Sequence, residues 1–122
     1  MSIGVSDLSL SRTFYDAVFP ALNMRALAFD GDAAVGYGQL RPWFWISIPL
    51  LQGNTNLAGN GTHFAFKAHS RDAVDNFYCL AMQYGGTDAG RPGFRPEYGV
   101  GYYAAFAYDN DGHKIEAVFR AG

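Results

Sequence analysis

An α+β fold built from two consecutive βαβββ halves is what this 122-residue chain predicts. Three observations carry that expectation. The order strand, helix and three extended pieces occurs twice along the chain. Each helix carries a Phe-Tyr pair, Phe14-Tyr15 and Phe77-Tyr78, at an offset of 63. The same offset sets Ile3 against Phe66 and Val5 against Ala68, which are matching inward positions on the two leading strands.

Met1 to Val5 reads as a short apolar strand. A helix follows from Ser9, with Leu10, Phe14, Ala17, Val18 and Ala21 spaced for one apolar face, and Pro20 and Asn23 marking its end. Three extended pieces, about 24–30, 32–39 and 42–50, come next, the first two joined by Gly31-Asp32 as a hairpin turn. Segment 51–61, with three Gly and three Asn, is the expected linker between modules at about 1–52 and 61–122 of a single domain. Thr62 to Ala68 then forms a strand, and Ser70 caps a second helix with Val74, Phe77, Ala81 and Tyr84 on one stripe. Gly85-Gly86 ends that helix. Segment 86–100, with six Gly and Pro residues, reads as a weak strand plus a long loop, and loops of that length are often functional. Gly101 to Tyr108 and Lys114 to Arg120 form a closing hairpin, and Phe64, Phe66, Phe14 and Phe77 are expected to be buried between helices and sheet.

Composition narrows the function classes. A net charge of −2 offers no basic surface for nucleic acid or anionic membrane. No apolar run approaches a membrane span, and no charged-then-apolar leader precedes the first strand. Cys79 is the single cysteine, so no disulfide framework exists; the expected setting is the reducing cytoplasm, with Cys79 packed inertly in its helix. The sequon Asn60-Gly61-Thr62 is read as chance. Eight Tyr and ten Phe exceed what a small core needs, so some rings are expected to line a pocket.

Two polar residues stand out. Glu116 lies in Ile115-Glu116-Ala117-Val118, where an unpaired carboxylate would be costly to bury; the plainer reading is a wet strand face of Lys114, Glu116 and Arg120. His63 shares a face with Ala65 and Lys67, opposite the core set Phe64, Phe66 and Ala68. A His and a Glu on one sheet face are half of a metal site or an acid/base pair; a lone His bonded to backbone is the plainer alternative. Trp43 and Trp45 are placed on the ligand face by parity, as a pocket wall or an ordinary packed pair. Of the alternating rings on the closing hairpin, Tyr102 and Phe106 are assigned to the pocket, and Arg91, Arg95 and Glu97 lie in the long loop near its mouth, with Arg91 taken as the ligand contact.

These residues carry a resemblance. Ser2-Ile3-Gly4-Val5-Ser6-Asp7-Leu8 with Ser11-Arg12-Thr13-Phe14-Tyr15-Asp16, Gly61-Thr62-His63-Phe64-Ala65-Phe66, and Asp109 to Glu116 resemble the first strand and helix entry, the second-module strand and the closing hairpin of the vicinal-oxygen-chelate superfamily, the glyoxalase/bleomycin-resistance/extradiol-dioxygenase group. The resemblance covers nearly the whole chain. It implies paired βαβββ modules forming a curled mixed sheet around a pocket, and a homodimer. It also implies a divalent metal (Zn, Fe, Mn, Ni or Mg) held by ligands on the first and last strand of each module. His63 and Glu116 match the second-module ligands, Glu116 also as proton shuttle. In the first module the leading-strand ligand would fall at position 0, and the last-strand position is Trp45, whose indole cannot ligate a metal. Two expectations from different classes follow: a binder of a small oxygenated molecule in an aromatic pocket with a degenerate metal site, or a metal-dependent lyase, isomerase or dioxygenase if an upstream His completes the site.

Overall fold

The computed structural model describes residues 1–48 and 63–121. The expected linker 51–61, the sequon and the Thr62 strand start lie outside the described residues. Strand β1 (Ser2–Gly4) leads into helix α1 (Leu8–Val18), then β2 (Arg25–Asp30), β3 (Ala34–Gly38) and β4 (Phe44–Ser47). The second half repeats this order with β5 (His63–Lys67), α2 (Arg71–Gln83), β6 (Thr87–Phe94), β7 (Tyr102–Tyr108) and β8 (Lys114–Arg120). The strands form two four-stranded mixed sheets, β1-β4-β3-β2 and β5-β8-β7-β6, neither of them closed. Each leading strand runs parallel to the last strand of its own module.

Both helices begin where a side chain can satisfy a free amide. Asp7 accepts from the Leu10 amide and Ser70 from the Ala73 amide, each at 3.0 Å. After α1 a single 3-10 turn, Phe19–Leu22, opens with Pro20 and ends at Asn23, whose left-handed φ of 58° breaks the helix. The buried face of α1 is Ser11, Phe14, Tyr15 and Val18, rotated from the expected stripe so that Leu10 is exposed. Tyr15 joins this face, fully buried with its hydroxyl bonded to Asp109 of the other module. On α2 the buried face is Ala73, Val74, Phe77 and Ala81. Cys79, two residues beyond Phe77 and so far round the helix, is exposed rather than packed. Segment 86–100 is an irregular strand followed by a loop, with the strand taking more of it than the loop. Residues 87–94 form a full strand with two register shifts, and the glycines sit at those irregularities.

The two modules share one continuous core, in which α2 packs on the second sheet and against α1 and the 3-10 turn of the first module. Phe44 of the first sheet lies 6.0 Å from Phe64 and 5.2 Å from Phe66 of the second, and Phe19 lies 5.2 Å from Phe66. Phe14, Phe66 and Phe77 are buried as expected, while Phe64 is only half-buried at the junction.

Polar contacts reinforce this junction. Asp109 is buried and accepts from the Tyr15 hydroxyl at 2.6 Å and from the amides of Asp111 and His113 at 2.9 Å. Asp111 accepts from both the amide and hydroxyl of Ser6, and His113 meets the Gly4 carbonyl at 2.8 Å. The Asp-rich turn of the closing hairpin therefore fastens the second module to the first.

Candidate functional site

Strand alternation leaves one face of each sheet turned away from the shared core. On the second sheet, register fixes what that outer face carries. Glu116 stands opposite Ala65 on β5 and Phe106 on β7, while Lys114 stands opposite His63. His63, Lys114, Glu116, Phe106 and Tyr102 therefore share one side.

Their contacts are close. His63 Nε2 lies 3.3 Å from Glu116 Oε1, and the Tyr102 hydroxyl donates to Glu116 Oε2. Glu116 is 2% exposed, so its charge is held by partners and not by solvent, whereas the His63 side chain is 45% exposed and presents its ring outward. Burial, and next the hydrogen bond to Glu116, push the Tyr102 phenol up to about 12. Tyr102 thus stays a proton donor to Glu116 across the physiological range. The His63 ring also lies 6.4 Å from the Phe106 ring.

Around Phe106 the sheet forms an open hollow of about 240 Å³, lined by Ala89, Gly90, Arg95, Glu97, Tyr98, Phe106 and Lys114. The Arg95 guanidinium carbon and the Lys114 ammonium lie 5.4 and 5.1 Å from the Phe106 ring centre. Tyr98 packs on Tyr102 at 5.3 Å.

Three residues expected at this site lie elsewhere. Trp45 belongs to the first sheet, where its ring lies over Gly36. It faces outward on its own sheet, and the contacts of His63 and Glu116 are with each other, Tyr102 and Phe106 and not with Trp45. Trp43 does not share that face. Strand β4 begins only at Phe44, alternation does not extend to Trp43, and its ring turns to the module junction, 5.6 Å from Phe66. Arg91 lies against Tyr78 on the α2 side of the sheet, together with Asp88. The arginine at the hollow is Arg95, which continues the pairing with β7 just before the 3-10 turn Pro96–Tyr98 and whose guanidinium bonds the Arg91 carbonyl at 2.5 Å. Nothing in a Gly- and Pro-rich segment signals where the register shifts fall, and so which arginine takes this face. Lys114 could have been found, since it stands two residues before Glu116 on the same strand face.

Register also tests the correspondence between modules. Ser2 pairs with Trp45 in the first module, and Ala65, at the offset of 63, pairs with Glu116 in the second. Trp45 therefore occupies the first-module counterpart of the Glu116 position. Superfamily members typically use a divalent metal, and the donor set here does not fit one well. His63 and Glu116 are two donors, the second Glu116 oxygen is taken by Tyr102, and an indole stands at the corresponding position. Among the described residues no three of His, Cys, Asp and Glu cluster.

No family model and no curated protein matches the chain. Solved structures do. A glyoxalase/bleomycin resistance protein from Albidiferax ferrireducens T118 is 33% identical over 98% of this chain and 96% of its own, with a TM-score of 0.86. A glyoxalase/bleomycin resistance protein/dioxygenase family enzyme from Burkholderia phytofirmans PsJN is 17% identical over 99% and 96%, with a TM-score of 0.76. The genomically encoded fosfomycin resistance protein FosX from Listeria monocytogenes is 18% identical over 99% and 90%, with a TM-score of 0.70. The last two show the shared fold alone.

Proposed function

The chain belongs to the glyoxalase/bleomycin resistance protein family of the vicinal-oxygen-chelate superfamily, and from that premise we propose that it binds a small oxygenated molecule on the outer face of its second sheet, without a complete metal centre. The observation that carries this reading is the His63–Glu116–Tyr102 chain. Glu116, fixed by Tyr102, orients the half-exposed imidazole. With Nε2–H held by the carboxylate, Nδ1 remains an acceptor for a ligand hydroxyl. Phe106 and Tyr98 supply the apolar wall. The same pair can take a proton from an acidic C–H or O–H and hold it between His63 and Glu116.

A homodimer belongs to this reading. Each chain carries two outward faces, one with Trp45 and one with His63 and Glu116, and a second copy can set the first against the second. Trp45 would then wall the pocket of its neighbour. No helix of the described residues is long and apolar enough to cross a membrane. The free Cys79 suits a reducing compartment such as the cytoplasm.

Elemental analysis of protein purified without chelators, repeated on His63→Ala and Glu116→Ala, tests the metal question. We expect well below one metal per chain in all three. Stoichiometric metal in the parent, lost in both variants, would restore a metal-dependent lyase, isomerase or dioxygenase. Metal retained in both would place the ion elsewhere and leave this face without one.

A further inference from the structure

We infer that the hollow beside His63 and Glu116 is an anion seat, so that the molecule bound there carries an acidic group, a carboxylate or a phosphoryl oxyanion. The inference rests on the outer face of the second sheet being the binding face and adds the charge class of its ligand. Two cations, Arg95 and Lys114, flank a single ring, Phe106, that is 8% exposed. Holding two like charges near one ring without a counter-ion costs Coulomb energy, which the ring faces offset only in part.

Neither cation has a carboxylate within 4 Å among the described residues, where the ion pairs are Arg12–Asp16 and His63–Glu116. Glu97 lines the same hollow yet pairs with neither. The Arg95 guanidinium bonds one carbonyl, that of Arg91, and its Nε is buried without a hydrogen-bond partner. A guanidinium has five N–H donors, and one carbonyl leaves most of them free for an acidic group bound beside Phe106. Gly90 gives the guanidinium its room. A Cβ at that position would stand 2.9 Å from Phe106 and 3.2 Å from an Arg95 nitrogen.

The dimensions limit the ligand. A hollow of about 240 Å³ is smaller than the roughly 300–1,000 Å³ of pockets for drug-sized molecules, so the acid is small. Its acidic group would take Arg95 and Lys114 while its remaining oxygens face His63. Phe106, close to both sets, would pack against the carbon skeleton between them.

Titration of the parent with benzoate, phenylphosphonate and neutral benzamide, followed by backbone amide shifts at low salt, tests the seat. We expect benzoate or phenylphosphonate to shift β7 and β8 amides around Phe106 and Lys114, with benzamide at least about tenfold weaker. The tighter of the two acids assigns the carboxylate or the phosphoryl class. Arg95→Gln and Lys114→Gln should each weaken the acid about tenfold. Arg95→Lys, which keeps the charge, should retain more of the affinity than Arg95→Gln. Equal shifts on this face from benzamide and both acids would overturn the anion seat and leave the binding face intact. Acid shifts confined to another surface would overturn both. Absence of any shift with either acid would overturn the seat.

Discussion

Asp109 shows how a residue chosen for its chemistry can serve cohesion. Its buried carboxyl gathers one hydroxyl and two amides and joins α1 to the closing hairpin. Replacing it with Ala leaves those donors without their acceptor, so Asp109→Ala should cost about 2–3 kcal/mol in urea unfolding. Burial, outweighing the hydrogen bonds, raises the Asp109 carboxyl above its ordinary value of 3.8. A raised folded value means the protonated form is favoured by folding. That contribution is full below about 3.8 and is lost as pH rises through the raised value. Asp109→Asn keeps the shape and abolishes the titration. The stability of the parent relative to Asp109→Asn should therefore fall as pH is raised upward from about 3.8 and then level off. A difference that grows with pH would mean the carboxylate gains more from its donors than it loses by burial.

At the scale of elements, the outer faces depend on glycines that make room for large rings. Gly36 on β3 lies beneath Trp45, and a Cβ there would come within 2.8 Å of the indole and 2.9 Å of Pro42. The clash is with a ring and a proline, neither of which yields easily. Gly36→Val should displace Trp45 from its sheet and destabilise the fold by about 1–3 kcal/mol, with a changed tryptophan emission spectrum. An unchanged spectrum and stability would mean that the ring is not held against β3. The irregular strand β6 follows a related logic. Its register shift between Gly90 and Gly93 separates the two arginines: Arg95, next after Phe94 in its pairing with Tyr103, falls on the Phe106 side, while Arg91 turns to Tyr78.

For the whole molecule, the decisive fact is that the modules share one core and each keeps an outer sheet face of its own. Exposed Phe29, Leu40, Trp43, Phe94, Tyr98 and Val100 add apolar surface that a second copy can cover. Light scattering at micromolar concentration should give about twice the chain mass of 13.3 kDa. Trp45→Ala should weaken the dimer and ligand binding together. A mass of one chain at all concentrations would require the pocket to be complete within a single copy.

Legible in the chain alone were the two βαβββ modules, their offset of 63, the Ser70 cap of the second helix and the parity of His63, Glu116, Tyr102 and Phe106 within their strands; the Asp7 cap of the first helix was not. The legible features follow from local pattern, because alternation within a strand and the helical repeat are set by the backbone and by which residues are apolar. Tertiary structure alone decided what the Asp109-to-His113 turn does, since its partners Gly4, Ser6 and Tyr15 lie about a hundred residues away. It also decided the three displaced residues. Trp43 lies before its strand begins, Arg91 and Arg95 exchange roles across register shifts, and Trp45 is carried by the other sheet. Parity holds only within an unbroken strand, and which faces meet is settled by packing between elements that no local pattern encodes.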